Sequence, residues 1–82
     1  MIRIEILGSG CANGVKLHAH AEQAVRDLGV QAEIVKVTDM NKIMNSGVLF
    51  TPALVINGHI KSVGKLLSVE EIKGFLRAGL AT

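Results

Sequence analysis

The sequence has no tryptophan, no tyrosine and only two phenylalanines among 82 residues. Proteins that bind single-stranded nucleic acids commonly stack bases on aromatic side chains, and nucleic-acid binders in general carry a concentrated basic surface. Here nine lysines and arginines are spread along the chain, and the net charge is only +2. We therefore expect no nucleic-acid partner.

The sequence also lacks any apolar run near the ~20 residues that cross a bilayer. Its first residues alternate isoleucine with charged side chains and do not form the apolar segment of a signal peptide. One cysteine cannot form an internal disulfide, so packing alone must stabilise the fold. These absences predict a cytoplasmic protein with no membrane partner, and the length predicts one domain over residues 1–82.

The apolar pattern predicts the order β-α-β-α-β-β-α. Ile2, Ile4 and Ile6 alternate as in a strand with one buried face, while Arg3 and Glu5 predict a partly open opposite face. Four further segments are predicted from their periodicity and composition: a helix over 12–28, strands over 32–37 and 53–56, and a hairpin return over 59–63.

Capping signals place the two remaining helices. Asp39 is a predicted N-cap for a short helix, and Ser68 with Glu71 forms a capping box before the last one. In the short helix we expect three side chains to point inward: Met40, Ile43 and Met44.

The apolar pattern of the third strand does not show whether it runs parallel or antiparallel to the first strand. A parallel strand would place Pro52 far from Cys11, whereas an antiparallel one would place Phe50-Thr51-Pro52 beside the loop Gly8–Gly14. Open α/β sheets usually carry their sites at the carboxyl end of the parallel strands. Periodicity leaves both directions open.

The only cysteine, Cys11, stands at the predicted start of the first helix. Unpaired backbone N–H groups and the helix dipole favour a thiolate there, which lowers the pKa of a thiol from about 8.5. Gly10 gives the backbone freedom before the cysteine, and Gly14 leaves space beside the sulfur. The alternative is a buried and unreactive cysteine.

The other polar candidates are weaker. His18 and His20 are two apart, so on a helix they diverge and cannot share a metal ion; we expect both to be solvated. His59 is predicted on a distant edge strand. We therefore expect neither a metal site nor a cofactor.

Four stretches together resemble one family: Ile4-Glu5-Ile6-Leu7-Gly8-Ser9-Gly10-Cys11, Val35-Lys36-Val37-Thr38-Asp39, Thr51-Pro52-Ala53-Leu54-Val55-Ile56-Asn57-Gly58 and Ser68-Val69-Glu70-Glu71-Ile72. Over nearly the whole chain they resemble the thioredoxin fold, and most closely the small thioredoxin-like proteins known as redox-active disulfide protein 2. The resemblance implies an α/β fold with a four-stranded mixed sheet in the order 2-1-3-4. Helices one and three would cover one face, and the short helix the other.

The resemblance also implies the site. Cys11 would be the catalytic nucleophile, Pro52 would be cis beside its sulfur, and the Thr51 backbone would pair with a bound substrate strand. The substrate-contacting set would be Gly10, Ala12, Asn13, Gly14, Thr51 and Pro52. Protein disulfides or a low-molecular-weight thiol would be the partners, with a thioredoxin-reductase-type enzyme as candidate reductant.

One departure from the family pattern changes the expected chemistry. The pattern is Cys-x-x-Cys, and this chain has Cys11-Ala12-Asn13-Gly14, so Gly14 occupies the position of the resolving thiol. Cys11 can attack a disulfide, but an outside thiol must then release the mixed disulfide. We therefore expect a monothiol exchange protein.

Two alternatives to monothiol exchange stay open. The first is a peptide-binding module that does not use its sulfur. The second, less favoured, is a dimer that carries an iron–sulfur cluster, as the monothiol glutaredoxins do. The Cys-Gly-Phe-Ser signature of those glutaredoxins is missing here.

Overall fold

The computed structural model describes residues 2–8, 12–48 and 50–80. Seven elements follow one another: β1 (Ile2–Leu7), α1 (Ala12–Leu28), β2 (Ala32–Val37), α2 (Met40–Asn45), β3 (Ala53–Ile56), β4 (His59–Val63) and α3 (Val69–Leu80). The predicted order is confirmed. The four strands form one sheet in the order β2-β1-β3-β4, as the family resemblance implied.

Strand direction follows from the connections. β1 and β2 are parallel, joined by the crossover helix α1, while β3 is antiparallel to β1. The open question about the third strand is thereby settled, because Leu7 at the end of β1 is opposite Ala53 at the start of β3. Residues just before Ala53 therefore lie near residues just after Leu7.

The two faces of the sheet are covered unequally. On one face, α1 and α3 pack against the sheet around a core of buried side chains: Ile4, Ile6, Leu17, Ala21, Ala24, Leu54, Ile56, Leu67, Ile72 and Leu76. Each fully buried leucine or isoleucine there stabilises the fold by about 1.5–3 kcal/mol relative to an exposed one. On the other face, α2 covers a smaller cluster: Leu7, Ile43, Val48, Ala53 and Val55.

The turns and caps adopt the predicted conformations. Asn57 and Gly58 both have positive φ, 51° and 82°, in the hairpin between β3 and β4. The Asp39 side chain accepts a hydrogen bond from the Asn41 N–H at 2.9 Å and so caps α2. The inward prediction for α2 is right for Ile43 and wrong for Met44, which is 69% exposed; the Met40 side chain lies outside the described part.

One irregularity interrupts the hairpin. Leu54 pairs with Ser62, while the next residue of β3, Val55, pairs with Ile60, so Lys61 is an extra residue in β4. Such a bulge shifts the alternation of side chains along its strand. As a result Ile60 and Val63, three residues apart, lie on the same face of the sheet.

Candidate active site

The site is built at the carboxyl end of β1. Gly8 follows this strand with φ of +79°, and its N–H donates to the Val37 carbonyl at 2.8 Å. The chain is next described at Ala12, where α1 begins. The segment that leads to Cys11 therefore starts from this edge of the sheet.

The segment before β3 meets the same edge. The Thr51–Pro52 peptide bond is cis, which is the isomer the family resemblance implies, and Pro52 is buried. A Cβ placed on Gly8 would lie 2.5 Å from the Thr51 Cβ, closer than real Cβ atoms approach. Gly8 therefore lets the end of β1 contact Thr51 directly.

Pro52 is held from the other side by the end of the hairpin. Its carbonyl accepts a hydrogen bond from the Gly64 N–H at 2.9 Å. Thr51 is exposed, and among the described residues none bonds to its backbone N–H or carbonyl. Both backbone polar groups of Thr51 are therefore unpaired within the described part of the chain.

The first turn of α1 contributes a positive electrostatic potential to the candidate site. It contains no acidic residue, so no carboxylate within that turn offsets the positive end of the helix dipole. Ala12 and Asn13 are exposed there, whereas Gly14 is buried. The helix end therefore favours a negative charge close to its first residues.

Comparison with known proteins agrees with this geometry. The thioredoxin domain family matches residues 2–77. The chain belongs to that family. Thioredoxin from Methanothermobacter thermautotrophicus is 41% identical over 76 residues, which cover 93% of this chain and 99% of that protein. Thioredoxin from Methanocaldococcus jannaschii is 42% identical over 80 residues, covering 98% and 92%.

Membership of the thioredoxin family supports a thiol–disulfide function. The predicted site residues of this thioredoxin-family chain fall into two groups. Ala12, Asn13 and Gly14 begin α1, and Thr51 and Pro52 precede β3, at the same end of the sheet. Gly10 and Cys11 lie outside the described residues, so their place in the site stays a prediction.

Sequence reasoning missed one structural requirement of the candidate site, the close contact at Gly8. In the sequence Gly8 is only the first residue of the predicted loop, and neither segment predicts its contact with Thr51. A glycine directly after the strand that leads into a cysteine loop was the available signal. Only the fold shows that the glycine is required by a residue far away in the sequence.

The histidines of this thioredoxin-family protein have structural partners. His18 Nδ1 lies 2.7 Å from Glu22 Oε1, and His20 Nδ1 donates to the Leu67 carbonyl at 2.8 Å. Both side chains are partly buried, so the expectation that they are solvated was wrong. Because α1 packs against the segment before α3, His20 lies within hydrogen-bond distance of the Leu67 carbonyl.

The described residues contain neither a cluster of metal ligands nor a membrane-spanning helix. No three His, Cys, Asp or Glu side chains within 2–8, 12–48 and 50–80 group as metal ligands would. In the same part of the chain, no helix has the length and apolar character needed to cross a membrane.

Proposed function

We propose that this protein exchanges disulfides through a single thiol, Cys11, with no resolving cysteine of its own. The contact of Gly8 with Thr51 carries the proposal, because it brings the end of β1, three positions before Cys11, against the cis-proline segment. The thioredoxin relatives support the reaction class. The cysteine count supports the monothiol form.

The first step uses a thiolate at the start of α1. The Cys11 thiolate attacks one sulfur of a substrate disulfide, a new S–S bond forms to Cys11, and the other substrate sulfur leaves as a thiolate that takes up a proton. The positive end of α1, without acidic residues in its first turn, stabilises the attacking anion. The exposed Thr51 peptide unit would hold the substrate backbone beside the reacting sulfurs.

The second step needs a thiol from outside the chain. Because Gly14 has no sulfur, the mixed disulfide persists until an external thiolate attacks it and frees Cys11. A low-molecular-weight thiol, or a reductant of the thioredoxin-reductase type, would serve. A reducing, cytoplasmic setting fits this requirement.

The alkylation rate of Cys11 as a function of pH tests the proposal. Every alkylation event reports on Cys11, since the chain has no other thiol. In the folded protein the rate should rise with a midpoint well below the ordinary thiol pKa of about 8.5. The same measurement in denaturant is the matched control, and it should return to the ordinary value. A folded midpoint at or above 8.5 would remove the proposal.

A second candidate is a peptide-binding module that does not use its sulfur. The observation in its favour is the exposed Thr51 peptide unit, which has no partner among the described residues. The variant Cys11→Ser separates the two functions. Capture of disulfide-containing proteins is lost in this variant if the thiol does the work, and is kept if the groove alone binds.

A further inference from the structure

The strand β2 forms one edge of the sheet, and its outer backbone groups are unpaired. At one end of its ladder with β1, the Ile2 N–H donates to the Gln31 carbonyl. At the other end, the Gly8 N–H donates to the Val37 carbonyl. Successive residues of a strand direct their backbone groups to opposite sides, so the odd-numbered residues of β2 face β1. The even-numbered ones face outward and have no backbone partner among the described residues: Ala32, Ile34 and Lys36.

This edge strand has neither the bulge nor the proline that keeps many edge strands from pairing. It matches β1 without interruption along its whole length. Four of its side chains are aliphatic and only partly buried: Ala32, Ile34, Val35 and Val37. The opposite edge strand, β4, has the extra residue Lys61, which interrupts its ladder with β3. A further strand can therefore add along the whole of β2, where it would cover apolar surface.

The sequence of β2 selects one register for pairing with a second copy of the same strand. In an antiparallel two-fold pair centred on Ile34, Ala32 lies opposite Lys36 of the second copy, so all the outward-facing residues exchange hydrogen bonds. Glu33 then lies opposite Val35 of the second copy. A pair centred on Glu33 or on Lys36 would place like charges opposite each other, which is destabilising. A pair centred on Val35 would leave Ala32 without a partner in the strand.

The two charged residues of β2 fit the register centred on Ile34. Glu33 is already paired with Arg3 at 3.5 Å and needs no further partner. Lys36 forms no ion pair within the described part of the chain. Its register with Ile6 places it on the sheet face that α1 and α3 cover. In the pair it comes opposite Ala32, shortly after the C-terminal end of α1 of the second copy, and a helix C-terminus favours a cation.

We infer that two copies of this protein pair through β2, in the antiparallel two-fold arrangement centred on Ile34, and so join their sheets into one. The partly buried aliphatic side chains of each β2 lose exposure to water in this arrangement. Both copies use the same edge, so the assembly closes at a dimer. Thr51 and Pro52 precede β3, which β1 separates from β2, so the pairing leaves both candidate active sites open.

Sedimentation equilibrium over a series of concentrations tests the inference. The protein used is the Cys11→Ser variant, so that no intermolecular disulfide through the native thiol contributes and the result is independent of the redox proposal. We expect a reversible equilibrium between monomer and dimer, with no larger species. A protein that stays monomeric up to about 1 mM would overturn the inference, and so would one that assembles beyond the dimer.

Two substitutions of Lys36 in the Cys11→Ser protein test the role of the backbone edge. Lys36→Pro removes an outward N–H and leaves the ladder with β1 intact, as proline allows on an edge strand. It should raise the dissociation constant of the dimer at least about thirtyfold, because a donor is lost at both symmetric positions. Lys36→Ala keeps the N–H and is the matched control, with a rise of no more than about fivefold. Equal effects of the two variants would contradict the pairing.

Crosslinking determines the register without a proline. In the Cys11→Ser protein, the double variant Glu33→Cys, Val35→Cys places new thiols opposite each other across the two-fold axis. Residues opposite each other in such a non-hydrogen-bonded pair have Cα atoms about 4.5 Å apart, within the range of a disulfide. We expect a disulfide-linked dimer when oxidised glutathione is added, and none from Glu33→Cys alone. No linked dimer from the double variant, or one from the single variant, would overturn the proposed register.

Discussion

Gly8 and Thr51 are in contact although they lie in different halves of the chain. A Cβ on Gly8 would lie 2.5 Å from the Thr51 Cβ and 2.8 Å from its Cγ2. Gly8 also has φ of +79°, where residues with a Cβ are strained. Two independent physical constraints therefore demand glycine between β1 and the cysteine loop.

The substitution Gly8→Ala tests this contact. We expect a loss of about 2–4 kcal/mol in the free energy of unfolding, because the positive φ and the overlap with Thr51 both disfavour a methyl group. Gly58→Ala is the matched control: its φ is +82°, but nothing lies within 4 Å of its Cβ position. It should cost only about 1–2 kcal/mol. Equal losses in urea denaturation would show that the Thr51 contact contributes nothing.

Gly14→Cys tests the missing step of the proposed reaction. The new thiol would stand three residues after Cys11, and we expect an intramolecular disulfide and insulin-disulfide reduction well above the background rate of the parent protein. Gly14→Ser is the control for changed packing at this buried position, and it should stay inactive. A folded Gly14→Cys protein that oxidises yet reduces no insulin contradicts the account.

Lys73 links α3 to α1 through a network whose contribution depends on pH. Its Nζ lies 2.9 Å from Asp27 Oδ2 and 3.3 Å from Glu70 Oε1. The hydrogen bond from Lys73 lowers the pKa of Asp27, with help from Gln23, and the bond to Asp27 raises the pKa of Lys73. The two shifts have opposite directions, as expected for an ion pair.

The sign of each shift sets the pH window of the Lys73 contribution. A lowered carboxyl pKa stabilises the fold above the ordinary value of 3.8 and stops doing so as the pH falls through the folded-state pKa. A raised lysine pKa stabilises it below 10.5, until the pH rises through the folded value. Lys73→Met should therefore lower the thermal midpoint most near neutral pH and least at both extremes. Lys61→Met, which removes an exposed lysine without an ion pair among the described residues, should show no such profile.

Ser68 caps α3 and should matter for stability. Its Oγ accepts from the Glu71 N–H at 3.2 Å, and Glu71 Oε1 accepts from the Ser68 N–H at 3.3 Å. Ser68→Ala should cost about 1 kcal/mol, since a helix N–H loses its acceptor. Ser68→Asp keeps an acceptor and should stay near the parent value in urea denaturation. If the aspartate variant is as unstable as the alanine variant, the cap is not the cause.

Local signals predicted the elements, whereas tertiary relationships needed the fold. The cap at Asp39 and the turn at Asn57-Gly58 depend on neighbouring residues, so the sequence contains them in full. The direction of β3 cannot be inferred from neighbouring residues, because an apolar run has the same pattern in both directions. It came from the family resemblance.

The incorrect predictions also arise from tertiary packing, which local patterns do not contain. Met44 was expected to be buried, but a helix of six residues offers the sheet a narrow face, which Ile43 fills. The pairing of His20 with the Leu67 carbonyl depends on how α1 packs against the segment before α3. No local pattern contains that information. The contact between Gly8 and Thr51 was missed for the same reason.

The bulge in β4 also affects whether copies of this protein can pair through their edge strands at high concentration. An outermost strand normally offers a straight row of free N–H and C=O groups, to which a strand of a neighbouring molecule can add. Here the extra residue at Lys61 breaks that row in the middle and places a charged side chain at the break. An incoming strand would lose register there, so this margin of the molecule resists growth into fibrils.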